Sequence, residues 1–234
     1  MLRFAAQRAL QTIPVLLAIS TVTFGILFLL PGDPLSAMLI GSGASAETIE
    51  RLREELGLNQ PVYVQYLRFL THVFQGDLGT SFTQQRPVIR LLWEQFPYTL
   101  ELAVASFLIA VSLGTALGVL AAVRQNTWVD AASMLVAAVG VSMPQFFLGL
   151  VLMFVFSFRL GWFPATGQGG LARLVLPATV LGFGSATLIA RLVRSSMLDV
   201  LHQDYIVTAR GKGLHERGVI LRHALKNALI PVVT

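Results

Sequence analysis

Residues 9–30 run for 22 positions without one charged side chain. At about 1.5 Å per residue, a helix of that length crosses a hydrocarbon core of roughly 30 Å. The pattern returns over 98–123, where Glu101 is the one charge, over 131–158, which has none, and over 174–193, where Arg191 stands close to the end. Lipid offers no partner to a backbone amide, so segments of this kind satisfy their hydrogen bonds internally, as helices. Charged residues make up 12% of the chain, about half the share of a soluble domain. The expected fold class is therefore all-α and polytopic, with four complete membrane helices and the start of a fifth at 229–234.

A net charge of +5 over 234 residues raises nucleic acid as a partner. The distribution points elsewhere, because the basic residues cluster at the ends of apolar runs, where membrane orientation requires them. No nucleic-acid partner is expected. With no cysteine, neither a disulfide nor a thiolate metal site can form. His72, His202, His215 and His223 show no metal-binding spacing. No metal and no cofactor are expected.

In order, 1–8 is a short basic lead carrying Arg3 and Arg8. The run at 9–30 is too long for the apolar core of a signal peptide, and it ends in Leu-Leu-Pro-Gly-Asp-Pro. Residues 31–97 form a polar excursion with seven acids and five basic residues. Within it, 45–56 has helical spacing of Ile49, Leu52 and Leu56 and ends at Gly57. A second helix opens at Pro61 and repeats apolar residues at Tyr66, Leu70 and Val73. This region reads as a small helical cap outside the membrane. Gly114 and Gly118 allow close helix packing. A short turn at 124–130 leads to the third span, which Ser142-Met143-Pro144-Gln145 interrupts. Proline there frees a carbonyl and bends the helix, and such a break is tolerated where it packs in protein or lines a wet cavity. Ser142, Met143, Pro144, Gln145 and Phe146 are the candidates for a translocation path. Trp162 and Phe163, in the loop at 159–173, suit an interfacial aromatic belt. With the N-terminus in the cytoplasm, the inner segments collect ten Lys/Arg and the short outer loop two, which satisfies the positive-inside rule.

The segment at 194–228 is the informative one. With Arg191 it carries seven Lys/Arg against three acids. Residues 204–212 can form one helix, in which Ala209, with Gly213 beyond it, would let another surface come close to the backbone. Val219, Leu221, Ala224, Leu225 and Ala228 then alternate with Arg217, Arg222 and Lys226. That amphipathic helix needs a cover for its apolar side, or lies on the membrane surface. Gly211-Lys212-Gly213 lacks the spacing of a phosphate loop. No hydrolase or metalloprotease motif is present, so the chain is not expected to be an enzyme. No span carries a charge at its midplane, where an ion relay would need one. A passage without its own energy source draws it through the loop.

The stretches Asp204-Tyr-Ile-Val-Thr-Ala-Arg-Gly-Lys-Gly-Leu and Arg222-His-Ala-Leu-Lys-Asn-Ala-Leu-Ile-Pro resemble the cytoplasmic loop of ABC-importer permeases, most of all the dipeptide, oligopeptide, nickel and glutathione branch. That loop reads EAA, three residues, Gly, nine residues, I-x-L-P. Here Val207-Thr208-Ala209 stands at EAA, Gly213 at the glycine, and His223 to Lys226, with Leu225, at I-x-L-P. The acid and the proline are replaced, as is usual in the peptide branch. Leu30-Pro-Gly-Asp-Pro, Gly76-Asp-Leu-Gly-Thr-Ser, Thr99-Leu-Glu-Leu-Ala, Ser142-Met-Pro-Gln-Phe and Arg191-Leu-Val-Arg-Ser-Ser-Met are similar to the branch as well. The resemblance implies an inner-membrane permease of a bacterium or archaeon. Its loop, through Asp204, Thr208, Ala209, Gly213 and Leu225, would dock in a cytoplasmic ATP-binding subunit. It also implies a second, homologous permease subunit and an extracytoplasmic solute-binding protein. Family members continue through two more membrane helices, so the chain is expected to be a truncated member. An ion-gradient-driven carrier and a non-transporting membrane scaffold are the alternatives; dependence of transport on a partner's ATP hydrolysis separates them.

Overall fold

The computed structural model describes residues 2–29, 50, 53, 54, 57–81 and 83–233. The helix expected over 45–56 and the Leu30-Pro-Gly-Asp-Pro stretch fall largely outside these residues. The described residues are helical apart from turns and one isolated antiparallel bridge between Thr80 and Pro87. The chain divides into two compact units, Met1–Glu94 and Gln95–Thr234.

In the first unit α1 (Leu2–Leu29) carries Pro14 inside it, and α2 (Val62–Phe74) starts just after Pro61. Proline suits a helix start because the amide it lacks would have had no partner there. The helix stops at Gly76, whose φ of +82° favours glycine. The Tyr66 hydroxyl joins α2 to α1, lying 2.8 Å from Ser20 Oγ and 2.7 Å from Thr21 Oγ1. Phe24 packs on Tyr66 and Phe69, with centroids 5.2 Å and 5.8 Å apart. Helix α2 therefore lies along the later half of α1. Arg86 and Glu94 pair before the unit ends.

The second unit is built on α3 (Val88–Val123), α4 (Trp128–Ser142), α5 (Gln145–Leu152) with a π-helical extension (Met153–Arg159), and α6 (Leu171–Leu201). Helices α3 and α6 are long and apolar enough to cross a membrane; α4 and the 145–159 segment together form a pair bent by 106°. The helix expected from residue 98 begins ten residues earlier, passing through Pro97. The fourth runs on to Leu201, past the apolar stretch.

Glycines show how these helices pack. A Cβ built on Gly114 would lie 2.6 Å from the Ala186 carbonyl oxygen, and one on Gly118 the same distance from that of Ala190. One on Gly182 would lie 2.8 Å from the Ser106 oxygen. Bare backbone meets backbone at three levels, the close approach that small residues at i and i+4 permit. The contact numbers rise together on both helices, so α3 and α6 are parallel. Along α4 and α5 they fall as α6 rises: Asp130 meets Arg194, Gly140 meets Thr187, Gln145 meets Gly184 and Gly149 meets Val180. Contacts with α6 thus continue in descending order on both sides of the break, although the two arms differ in direction by 106°.

After α6 come α7 (Asp204–Gly211), α8 (Glu216–Gly218), a π-helical turn (Val219–Ala224), α9 (Leu225–Ala228) and α10 (Ile230–Val233). One core joins them to the long helices. Ala122 of α3 and Val193 and Met197 of α6 pack with Ile206, Ala209, Val219, Ala224 and Ala228.

Candidate functional site

The loop helix α7 owes its position to residues 206 and 209, which share one face by helical spacing. Both are buried, Ile206 wholly and Ala209 to within 8%. They belong to one core with Met197 and Val193, in which α7 packs on the Val219–Ala224 turn. The amphipathic segment that follows is covered by the chain itself. Val219, Ala224 and Ala228 are buried against the same two helices, while Leu221 remains exposed. The Asn227 amide donates to the Tyr205 hydroxyl at 2.9 Å, tying α9 to the start of α7. Arg210 makes a two-point ion pair with Glu216, at 2.8 and 3.2 Å. That pair raises the Arg210 guanidinium and holds the Glu216 carboxyl below the ordinary carboxylate range, the hydrogen bond being the larger cause in each case.

The loop residues singled out in the sequence divide by face. Asp204, Thr208 and Gly213 are exposed. The Thr208 hydroxyl donates back to the Asp204 carbonyl at 2.9 Å. Gly213 ends the turn after α7 with φ +76°, and a Cβ added there would meet nothing within 4 Å. Ala209 faces inward, so its smallness serves the chain's own packing. Leu225 is half-buried. With Leu221 and Leu229 it lines a cleft of about 580 Å³ along α3, floored by Thr115, Ala116 and Val119. Beside the exposed trio, Val207 and Leu214 are exposed apolar side chains at 59% and 47%. The outward surface of α7 is thus apolar and neutral at its centre, with Arg210 and Lys212 at its edge.

At the break, Met143 (φ −82°, ψ 122°) leaves helical geometry and its amide donates to Val139 O at 2.9 Å. Proline at 144 disfavours the α conformation at 143 and then, at φ −58°, starts α5. The result is a turn of 106°, far beyond a proline kink. Ser142, Pro144, Gln145 and Phe146 are exposed and Met143 is half-buried. The Gln145 amide comes beside Gly184, where an added Cβ would be 3.1 Å from Nε2. Gly140, one turn before the break, is pressed against Thr187 and Phe183. The break is therefore held on one side by α6 and open on the other.

One pair escaped the sequence reading. Arg194 donates from Nε and Nη2 to the two carboxylate oxygens of Asp130, each at 2.7 Å. Asp130 is 6% exposed and also accepts from the Asn126 amide at 3.1 Å. Its place in the first turn of α4 suits a negative charge. The available signal was an acid at the head of an uncharged span and an arginine at the same end of another.

Two family models match. The model described as "binding-protein-dependent transport system inner membrane component" covers residues 114–234, and its N-terminal companion covers 1–103. Over its whole length the chain is 45% identical to the glutathione transport system permease protein GsiC of Salmonella paratyphi A, covering 76% of that protein. It is 43% identical to GsiC of Escherichia coli O6:H1, with the same coverage. A putative peptide transport system permease protein of Brucella abortus is 43% identical over 97% of the chain and 75% of that relative.

Proposed function

The chain belongs to the binding-protein-dependent transport system inner membrane components, and we propose that it is the permease subunit of an ATP-driven importer for small peptides or glutathione, with nickel chelates as a further class. The observation that carries this is the loop. Its apolar side is spent on the chain's own core, yet α7 still presents Val207 and Thr208 outward, and the turn after it Gly213 and Leu214. A surface built that way is made for a second protein. With no phosphate loop in the sequence, ATP binding and hydrolysis fall to that protein, an ATP-binding subunit.

On this reading the N-terminus is cytoplasmic, which the distribution of Lys/Arg favours. Four spans follow: α1, α3, the broken α4–α5 and α6, with a fifth opening at 229–234. On this topology α7 faces the cytoplasm, where ATP is. A solute-binding protein delivers substrate from the other side, and a second, homologous permease completes the passage. The open side of the Ser142–Phe146 break faces that mate. Binding and hydrolysis of ATP move α7 as a rigid body and switch the spans between two access states.

The test is a pull-down from bacterial membranes, with the chain co-expressed beside its ATP-binding subunit. Gly213→Trp adds bulk that points away from the chain, while Gly213→Ala adds only the strain of a positive φ. Retention of the ATPase by wild type and alanine, and its loss with tryptophan, supports docking on α7. Equal retention by all three places the docking surface elsewhere.

A further inference from the structure

The Asp130–Arg194 pair stands where the loop, α6 and α4 meet. On one side of α6, Val193 and Met197 are wholly buried in the core they share with Ile206 and Ala209 of α7 and with Val219 and Ala224 of the turn that packs on it. In the same turn of α6, Arg194 reaches to the head of α4 and fixes both oxygens of Asp130 at 2.7 Å. A two-point arginine–carboxylate fork sets orientation as well as distance, which a lysine cannot reproduce. Farther along, Thr187 and Phe183 are pressed against Gly140, and Gly184 against Gln145. Helix α4 is therefore attached to α6 near both of its ends. The glycine contact is apolar and small and resists sliding only by shape. The charged fork is directional and holds the head of α4 in rotation too.

A continuous set of contacts therefore runs from α7 through the Val219–Ala224 turn and α6 to α4. The first place where the chain leaves helical geometry is Met143–Pro144, where the direction changes by 106°. We infer that the Asp130–Arg194 pair is a positioning device for coupling: it transmits displacement of α7 through α4 to the Ser142–Gln145 break. With the fork intact, force applied at α7 arrives at the break. With the fork cut, the head of α4 turns against α6 and the displacement is lost before it gets there. The inference rests on the transport reading and assigns residues outside the loop to it. A pair that served folding alone would alter assembly and leave coupling as it was.

The experiment uses the full transporter, with both permeases, the ATP-binding subunits and the binding protein, in proteoliposomes. Uptake of radiolabelled glutathione, and of a radiolabelled dipeptide in parallel, is measured against ATP hydrolysed. Asp130→Asn removes the charge, Arg194→Lys keeps it but loses the fork, and Asp130→Arg with Arg194→Asp restores a pair in reverse. The expected result is that assembled single variants still hydrolyse ATP while substrate moved per ATP falls about tenfold, and that the exchanged pair recovers most of the loss. An unchanged ratio in the single variants overturns the inference. So does loss of assembly in both single variants, with the exchanged pair restoring assembly alone. A second readout is independent of transport. The sequence has no cysteine, so, with any cysteines of the partner subunits replaced, Val136→Cys and Leu192→Cys place nitroxide labels on α4 and α6 alone. One narrow distance that broadens in Asp130→Asn supports the fork as the tie, and an unchanged distribution refutes it. Failure of the wild-type assembly to move either substrate with ATP counts against the transport reading, and the label distances still decide the role of the pair.

Discussion

Replacing Gly118 by alanine adds one methyl group where α3 lies against α6. Two effects oppose each other. Alanine favours a helix interior over glycine by about 1 kcal/mol. Against that, the new Cβ would sit 2.6 Å from the Ala190 carbonyl oxygen and 2.7 Å from Val193 Cβ, about 0.8 Å and 0.7 Å short of ordinary contact at 3.4 Å. Neither neighbour can swing aside, because one is helix backbone and the other the branch point of a wholly buried valine. The helices must separate, and overpacking of this kind costs about 1–3 kcal/mol. The expected net effect is destabilisation by about 1 kcal/mol. Gly25→Ala in α1 is the control, since a Cβ there meets nothing within 4 Å; the propensity gain acts alone and its midpoint should rise or hold. Gly114→Ala should resemble Gly118→Ala. The double variant should lose less than the sum, because one separation relieves both clashes. The assay is unfolding of the purified protein in detergent, followed by tryptophan fluorescence. If Gly118→Ala rises in step with Gly25→Ala, the register of α3 on α6 described here is wrong.

Tyr66→Phe should weaken the hold of α2 on α1 by about 1 kcal/mol. The loss is no greater because Ser20 and Thr21 retain bonds to the Leu17 carbonyl; faster amide exchange across α2 is the readout, and unchanged exchange would show that the ring contacts suffice. Pro144→Ala removes the restriction on Met143, so the turn at the break should open, and spin labels on either side should move apart; an unmoved distance would mean that α6 alone holds the bend. Because pairing with Arg210 depresses the Glu216 carboxyl, the pair adds stability that is present above the ordinary glutamate range and is lost as pH falls through the lowered value. Both side chains are more than a third exposed, so solvent screening limits the contribution to under about 1 kcal/mol. Glu216→Gln should exchange faster than wild type around α7 at neutral pH and match it in acid; a difference that persists in acid would exclude the ion pair as its cause.

The apolar runs announced the helices because lipid leaves the backbone no other choice, and that holds whatever the neighbours are. The sequence showed Gly114 and Gly118 without their target, since the face they meet, the Ala186 and Ala190 carbonyls beside Ile189 and Val193, has the composition of any apolar helix. At Pro144 the chemistry told of a bend and left its size open. A proline alone gives a kink, whereas here the arms turn by 106° while Gly140 and Gln145 each keep a contact with α6. Asp130 and Arg194 lie 64 positions apart, and single-sequence spacing carries no information at that range. Arg194 therefore read as one more charge at a helix end, although its partner was a buried acid.

The loop shows most clearly how one segment divides its residues between fold and function. Ala209 and Gly213 looked alike in the sequence, two small residues available to an approaching protein. The structure separates them. Ala209 is covered, and a larger side chain there would lift α7 off Met197 before any partner was involved. Gly213 has open space beyond it and a backbone that disfavours other residues. On the proposed docking, a substitution at 209 would act by moving α7, and one at 213 by obstructing the surface. The two should part in one measurement. Ala209→Leu should raise amide exchange through the Ile206–Val219 core in the isolated chain, whereas Gly213→Trp should leave that core protected and lose only the partner. If both variants unprotect the core, Gly213 belongs to the fold, and its exposure is incidental to docking.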